Sequence, residues 1–106
     1  MKIPADAIIA REKLTQYLLV PRQKNDKSRF LAQVGFTLQN PDALEEAIRA
    51  LIAENEAVTD RDNEYGIFYR VEGDVYGPYG ILSVVTVWIL RTNNNRYHFI
   101  TLKPAR

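Results

Sequence analysis

Apolar side chains recur at helical spacing through the first half of this chain and at alternating positions through the second. A first helix is predicted from Ala10 to Leu19, because Leu14, Tyr17 and Leu18 fall at i, i+3 and i+4 and Pro21 stops the pattern. The polar, basic stretch Pro21 to Asn25 reads as a loop. Asp26 stands where an N-cap is needed for a short second helix, whose buried stripe is Phe30, Leu31 and Val34. Gly35 supplies the left-handed residue that closes it, with Phe36 folding back on the stripe. The third helix opens with Asn40 as N-cap and Pro41 at the first helical position, where the missing N–H costs nothing. Leu44, Ala47, Ile48, Leu51 and Ile52 make its apolar face, and Asp42, Glu45, Glu46, Arg49 and Glu54 lie opposite. The early acids suit the positive end of the helix dipole.

Asn55 to Asn63 is acidic and turn-like, and the period then changes to two. Tyr65, Ile67, Tyr69 and Val71 alternate with Gly66, Phe68, Arg70 and Glu72, which predicts a strand with one apolar face. Gly77-Pro78-Tyr79-Gly80 is a turn, since Pro fixes φ and Gly admits positive φ. Ile81 to Leu90 is apolar at nearly every position, the pattern of a central strand covered on both faces. Asn93 to Asn95 makes the next hairpin loop, and Arg96 to Lys103 the last strand, ended by Pro104. The fold class is therefore α+β: N-terminal helices packed on one face of a C-terminal antiparallel β-meander of three or four strands. The expected order is sequential, with Val84 to Ile89 in the middle. Trp88 belongs in the core, where its indole N–H needs a partner.

Composition narrows the chemistry. The 106 residues suit one domain over 1–106, with 46% hydrophobic and 25% charged residues marking it as globular rather than disordered. The absence of cysteine excludes disulfides, thiolate catalysis and cysteine zinc sites. With a single histidine, any metal site would be a carboxylate cage for a hard ion. Asp60, Asp62 and Glu64 lack the spacing of a calcium loop, so neither metal nor cofactor is expected. The apolar run around Ile8 and Ile9 is too short for a signal peptide or a membrane span, and the expected compartment is the cytoplasm.

Charge is distributed in blocks. Residues 1–39 carry 7 basic and 3 acidic groups, residues 40–78 carry 3 and 10, and residues 79–106 carry 4 and none. If the two positive segments meet in space, they build a basic face; the plainer alternative is three solvated surfaces. Arg22, Lys24, Lys27 and Arg29 surround the loop into the second helix, while Arg91, Arg96 and Lys103 flank the last hairpin. Their convergence would hold phosphate, with Tyr97 and Tyr79 available to stack on bases. Thr101 is a strand hydroxyl able to donate to a phosphate, and also simply a good strand residue. His98, the sole imidazole, is the first candidate for a general base, against the plainer reading of a structural or exposed histidine. Phosphate-loop, dinucleotide-binding, zinc-protease and nucleophile-elbow motifs are all lacking.

The segments KLTQYLL (Lys13 to Leu19), DKSRFLAQVGF (Asp26 to Phe36), EYG (Glu64 to Gly66), GPYG (Gly77 to Gly80), TVWI (Thr86 to Ile89) and FITLKP (Phe99 to Pro104) occur in this order. Together they resemble a bacterial domain-of-unknown-function family of small stand-alone proteins that also looks like the C-terminal module of polymorphic, contact-dependent toxins. The resemblance spans about Lys13 to Pro104 and implies a ribonuclease-like or nuclease-like activity. Its matching polar positions are Lys27, Thr101 and Tyr65. His98 departs from it, since a non-histidine residue is usual there.

Two expectations follow. In the first, the chain is a toxin-like domain that binds or cleaves RNA without metal. Lys27, Arg91 and Arg96 would hold the phosphate, His98 or Tyr97 would move a proton, Thr101 would orient the phosphate, and Lys24 and Tyr97 would contact substrate. In the second, it is a non-catalytic interaction module, a homodimer or the partner of another small protein, with open sheet edges for pairing.

Overall fold

The computed structural model describes residues 1–24 and 26–105. Asn25, the last residue of the expected loop, and Arg106, one of the four cations of the final block, lie outside the described residues. The element order is α1 (Arg11–Lys13) continuing into a π-helical segment (Leu14–Leu18), then α2 (Ser28–Ala32), α3 (Pro41–Glu54), β1 (Ala57–Asn63), β2 (Gly66–Gly77), β3 (Gly80–Arg91) and β4 (Tyr97–Pro104). The helices pack on one face of a four-stranded antiparallel sheet of order β1-β2-β3-β4.

The first helix is not α-helical throughout. Leu19 N–H reaches Leu14 C=O at 3.0 Å, five residues back. The wider turn brings Leu14, Leu18 and Leu19 into the core together. Tyr17, expected in the buried stripe, is left half-buried at the margin.

The two predicted caps form differently from expectation. Asp26 does not cap α2, whose N-cap position is Lys27; its carboxylate accepts from the backbone N–H and hydroxyl of Ser28, at 2.9 and 2.6 Å. This local turn lies just ahead of the helix and holds Lys27 between its two ends. Asn40 occupies the N-cap of α3 without a capping hydrogen bond. Its side chain instead ties the preceding loop, accepting from Thr37 N–H at 2.8 Å and donating to Gly35 C=O at 2.8 Å. At the end of α2, Gly35 has φ +97° and Phe36 N–H reaches Leu31 C=O at 3.1 Å, while Gly35 N–H reaches Ala32 C=O at 3.0 Å. This is the expected left-handed closure, with buried Phe36 beside buried Leu31.

The stretch expected as an acidic turn is a strand. In β1 only Ala57 is buried, so the segment carries no apolar alternation to announce it; pairing with β2 makes it a strand. Its register shifts between Thr59 and Arg61. The turn contracts to Glu64-Tyr65, Tyr65 N–H donating to Asn63 Oδ1 at 2.8 Å, so the next strand starts at Gly66 and runs to Gly77. Both β2 and β3 are interior. The Pro78-Tyr79 turn seats on the end of α2, Tyr79 N–H donating to Val34 C=O at 2.9 Å. A Cβ at Gly77 would stand 2.3 Å from that same carbonyl oxygen, so only glycine admits this approach.

Trp88 is fully buried, and its N–H donates to Thr86 Oγ1 at 2.8 Å. The Thr86 hydroxyl passes its own proton to Val71 C=O at 3.0 Å, so a buried relay satisfies both groups. Trp88 also meets Phe99 of β4 edge-to-face at 5.3 Å. The expected cover of the central strand on both faces is not found: helices cover one face only. On the other, Val85 and Ile89 are shielded between cross-strand neighbours, Glu72 with Lys103 and Phe68 with His98, while Ile81 stays exposed. Among the described residues no helix is long and apolar enough to cross a membrane.

Candidate anion-binding site

The last strand carries a bulge that divides its side chains into two groups. Phe99 pairs with Trp88 and Thr101 with Val87, which leaves Ile100 as the extra residue. A bulge on an edge strand re-aims the side chains that follow it. Thr101 here receives Lys27 Nζ at 3.2 Å, a contact between residues 74 positions apart, and its hydroxyl donates to Leu102 C=O at 3.3 Å. The two basic segments of the sequence therefore meet, at Thr101 rather than at the hairpin loop.

Lys27 is not alone there. The Arg22 guanidinium carbon lies 4.7 Å from the centroid of Tyr17, and Lys27 Nζ lies 5.7 Å from the same ring. The aromatic face offsets part of the repulsion between two cations. Burial, then the charges of Lys103 and Arg22, hold the Lys27 ammonium below its ordinary pKa. Among the described residues, no ion pair involves Arg22, Lys27 or Lys103. Asp26, next in the chain, is occupied by Ser28, whose hydroxyl and backbone N–H hold the carboxyl below its usual range. Of these three cations only Lys27 touches the Thr101 hydroxyl, while Arg22 and Lys103 lie close enough to act on its charge. Among the described residues such a cluster, with no carboxylate paired to it, has the chemistry to attract an anion. Lys24 lies exposed in the same loop.

Beside this contact lies an open cleft of about 590 Å³ between the first helix and β4. Thr101, Tyr17, Ile100, Glu12, Lys13 and Gln16 line it.

Arg91, Arg96 and His98 form the second group, at the β3–β4 hairpin. Arg91 N–H donates to Arg96 C=O at 3.0 Å, and Asn95 takes φ 57°, the left-handed geometry expected of this asparagine loop. Asn94 Oδ1 accepts from Arg96 N–H at 2.9 Å, and Asn94 Nδ2 stands 3.1 Å from His98 Nε2. Burial, then Arg91 and Arg96, push the imidazole below 6.5. Tyr97 is half-buried and packs on Tyr69 with ring centroids 5.8 Å apart; loss of solvent raises its hydroxyl pKa. Tyr65 is exposed in the β1–β2 turn beside this hairpin, where its carbonyl accepts from Thr92 N–H at 3.1 Å. Tyr79 is exposed at the other end of β3.

Thus Lys27 and Thr101 come together, as do Arg91, Arg96 and His98, but the two groups do not surround one pocket. The register sets His98 and Thr101 opposite Ile89 and Val87, roughly 7 Å apart along the strand. Among the described residues no hydrogen bond joins His98 to Lys27 or Thr101. Sequence reasoning missed Glu12 and Gln16, and read Tyr17 only as core; the π-helical turn that exposes the Tyr17 edge leaves no simple periodic signal.

Among curated proteins and among solved structures, nothing matches the chain. Residues 4–106 match the family described as a domain of unknown function (DUF6883), which covers nearly the whole sequence, and the chain belongs to that family.

Proposed function

We propose that this chain is an RNA-binding domain that grips the phosphate backbone along β4. The observation that carries the reading is the Lys27–Thr101 contact, beside which Arg22 and Lys103 act on the Lys27 charge, with no carboxylate paired to these cations among the described residues. Arg91 and Arg96 extend the basic strip toward the hairpin. From Arg96 to Lys103 the strip runs roughly 20 Å, the length of a short single strand bound through several phosphates. Anions raise the pKa of a cation they neutralise, so binding relieves the strain that burial and like charge impose on Lys27.

Cleavage in the manner of a metal-independent, toxin-like ribonuclease is the stronger form of this reading. It needs a proton carrier within hydrogen-bond reach of the reacting group, and His98 is held by Asn94 instead. Binding without turnover is the form the geometry favours. The test is fluorescence anisotropy with a short single-stranded RNA across a salt series, run beside incubation with total RNA in EDTA. Lys27→Ala is the control in both. Salt-sensitive binding that weakens in Lys27→Ala supports the reading, and cleavage lost in the same variant promotes it to the catalytic form. Absence of binding at low salt overturns it.

A second reading, a non-catalytic interaction module, rests on the exposed cross-strand pair Tyr76 and Ile81 with nearby Tyr79 at the β2–β3 hairpin. A homodimer or a small partner protein would cover it. Light scattering decides the homodimer form: a dimer dispersed by Ile81→Lys supports it, and a strict monomer argues against it.

A further inference from the structure

We propose that the cleft beside the Lys27–Thr101 contact reads a base, and that the base is guanine. The inference rests on the RNA-binding reading and adds a specificity to it. Thr101 is shared: its hydroxyl receives Lys27, and it lines the cleft. Tyr17 is shared in the same way, since Arg22 stacks on its ring and the ring forms a cleft wall. A nucleotide whose phosphate meets the cations thereby presents its base to the cleft, where Ile100 and Tyr17 give apolar and aromatic cover. A volume of about 590 Å³ lies in the range of small-ligand sites.

The polar groups of the cleft select among bases. Glu12 offers a carboxylate, which only accepts, and Lys13 next to it offers an ammonium, which only donates. Guanine alone presents two adjacent donors, N1–H and N2–H, to a carboxylate and then O6 to an ammonium. Adenine would turn the N1 lone pair toward Glu12, and uracil would turn carbonyl oxygens toward it. Cytosine offers the carboxylate a single amino group. Among the described residues Glu12 makes no ion pair, whereas its neighbour Arg11 is bound to Asp42 at 2.6 Å.

A second observation points to the same place. Gln16 and Tyr17 sit on the π-helical segment Leu14–Leu18. Such turns are poorer than α-helix in isolation and occur frequently at functional sites. Here the turn buries Leu14 and Leu18 on one side and offers Gln16 and Tyr17 to the cleft on the other.

The experiment is titration of the full chain with each of the four nucleoside monophosphates and with inorganic phosphate, followed by calorimetry or amide chemical shifts. Guanosine monophosphate is expected to bind at least about tenfold tighter than the adenosine, cytidine and uridine forms. Glu12→Gln removes that preference, while inorganic phosphate still binds at least as tightly because a nearby negative charge is gone; Glu12 is exposed, and thermal melting verifies that the variant folds. Equal affinity for all four nucleotides, or a preference that persists in Glu12→Gln, overturns the inference. If RNA binds in a salt-dependent way with no base preference, the base-reading role falls and RNA binding stands. If neither RNA nor phosphate binds, both fall together.

Discussion

The two ends of β4 both carry cations, yet they are built by opposite means. At the hairpin end, Arg91, Arg96 and His98 are held by contacts within the loop itself, such as Asn94 with Arg96 and His98. At the Thr101 end, Lys27 arrives from the far half of the chain and is half-buried beside Arg22 and Lys103. Exposed charges of the first kind steer a polyanion and are screened by salt. Partly desolvated charges of the second kind hold a phosphate more strongly, because less water is displaced on binding and the local dielectric is lower.

The largest expected effect falls on both ends together. Trp88 underlies β4 through Phe99, and Trp88→Ala should cost about 3–5 kcal/mol in chemical denaturation. Thr86→Val should cost about 1–3 kcal/mol, because it leaves the Trp88 N–H and Val71 C=O without the relay. A marked loss at one end with the other intact would break the idea of a common foundation.

Next in size is the separation of the ends in binding. Lys27→Ala with Lys103→Ala should weaken single-stranded RNA by roughly tenfold or more and lower the salt slope by about 1.4, the value for two phosphate contacts. Arg91→Ala with Arg96→Ala should cost only a few-fold, mainly in association rate, as stopped-flow measurement would show. Equal losses from the two pairs would erase the distinction. A smaller effect is expected for Thr101→Val, which removes the acceptor for Lys27: about 1 kcal/mol in stability and a few-fold in affinity.

The smallest concerns His98. Its folded midpoint lies below 6.5, so protonation is harder in the folded chain than in the unfolded one. The stability it allows is complete above pH 6.5 and declines as pH falls from 6.5 to the folded midpoint. His98→Asn should flatten that segment of the stability profile. An NMR titration of the imidazole gives the midpoint directly, and RNA reaching Arg91 and Arg96 should raise it.

The same contrast explains what could be read beforehand. The closure at Gly35 and Phe36, the apolar face of α3, the Pro78-Tyr79 turn and the need for a partner at Trp88 are local requirements written in neighbouring residues. The strand β1 was hidden because its side chains are nearly all exposed, so pairing rather than burial defines it. The π-helical turn was hidden because Leu14, Tyr17 and Leu18 fit an ordinary helix equally well. In the site, the hairpin cations cluster along the sequence. Lys27 and Thr101 were each legible as polar candidates, but their meeting depends on the bulge at Ile100 and on α2 docking beside β4.

The most direct measurement is an amide and side-chain NMR titration of the isotope-labelled chain with a short single-stranded RNA. The largest shifts are expected at Tyr17, Thr101 and Lys103 and in the Lys27 ammonium, with smaller ones at Arg91 and Arg96, and those at Tyr17 and Thr101 are expected to shrink markedly in the Lys27→Ala, Lys103→Ala variant. Shifts confined to Arg91–His98 and unchanged in that variant would contradict a phosphate seat at Thr101.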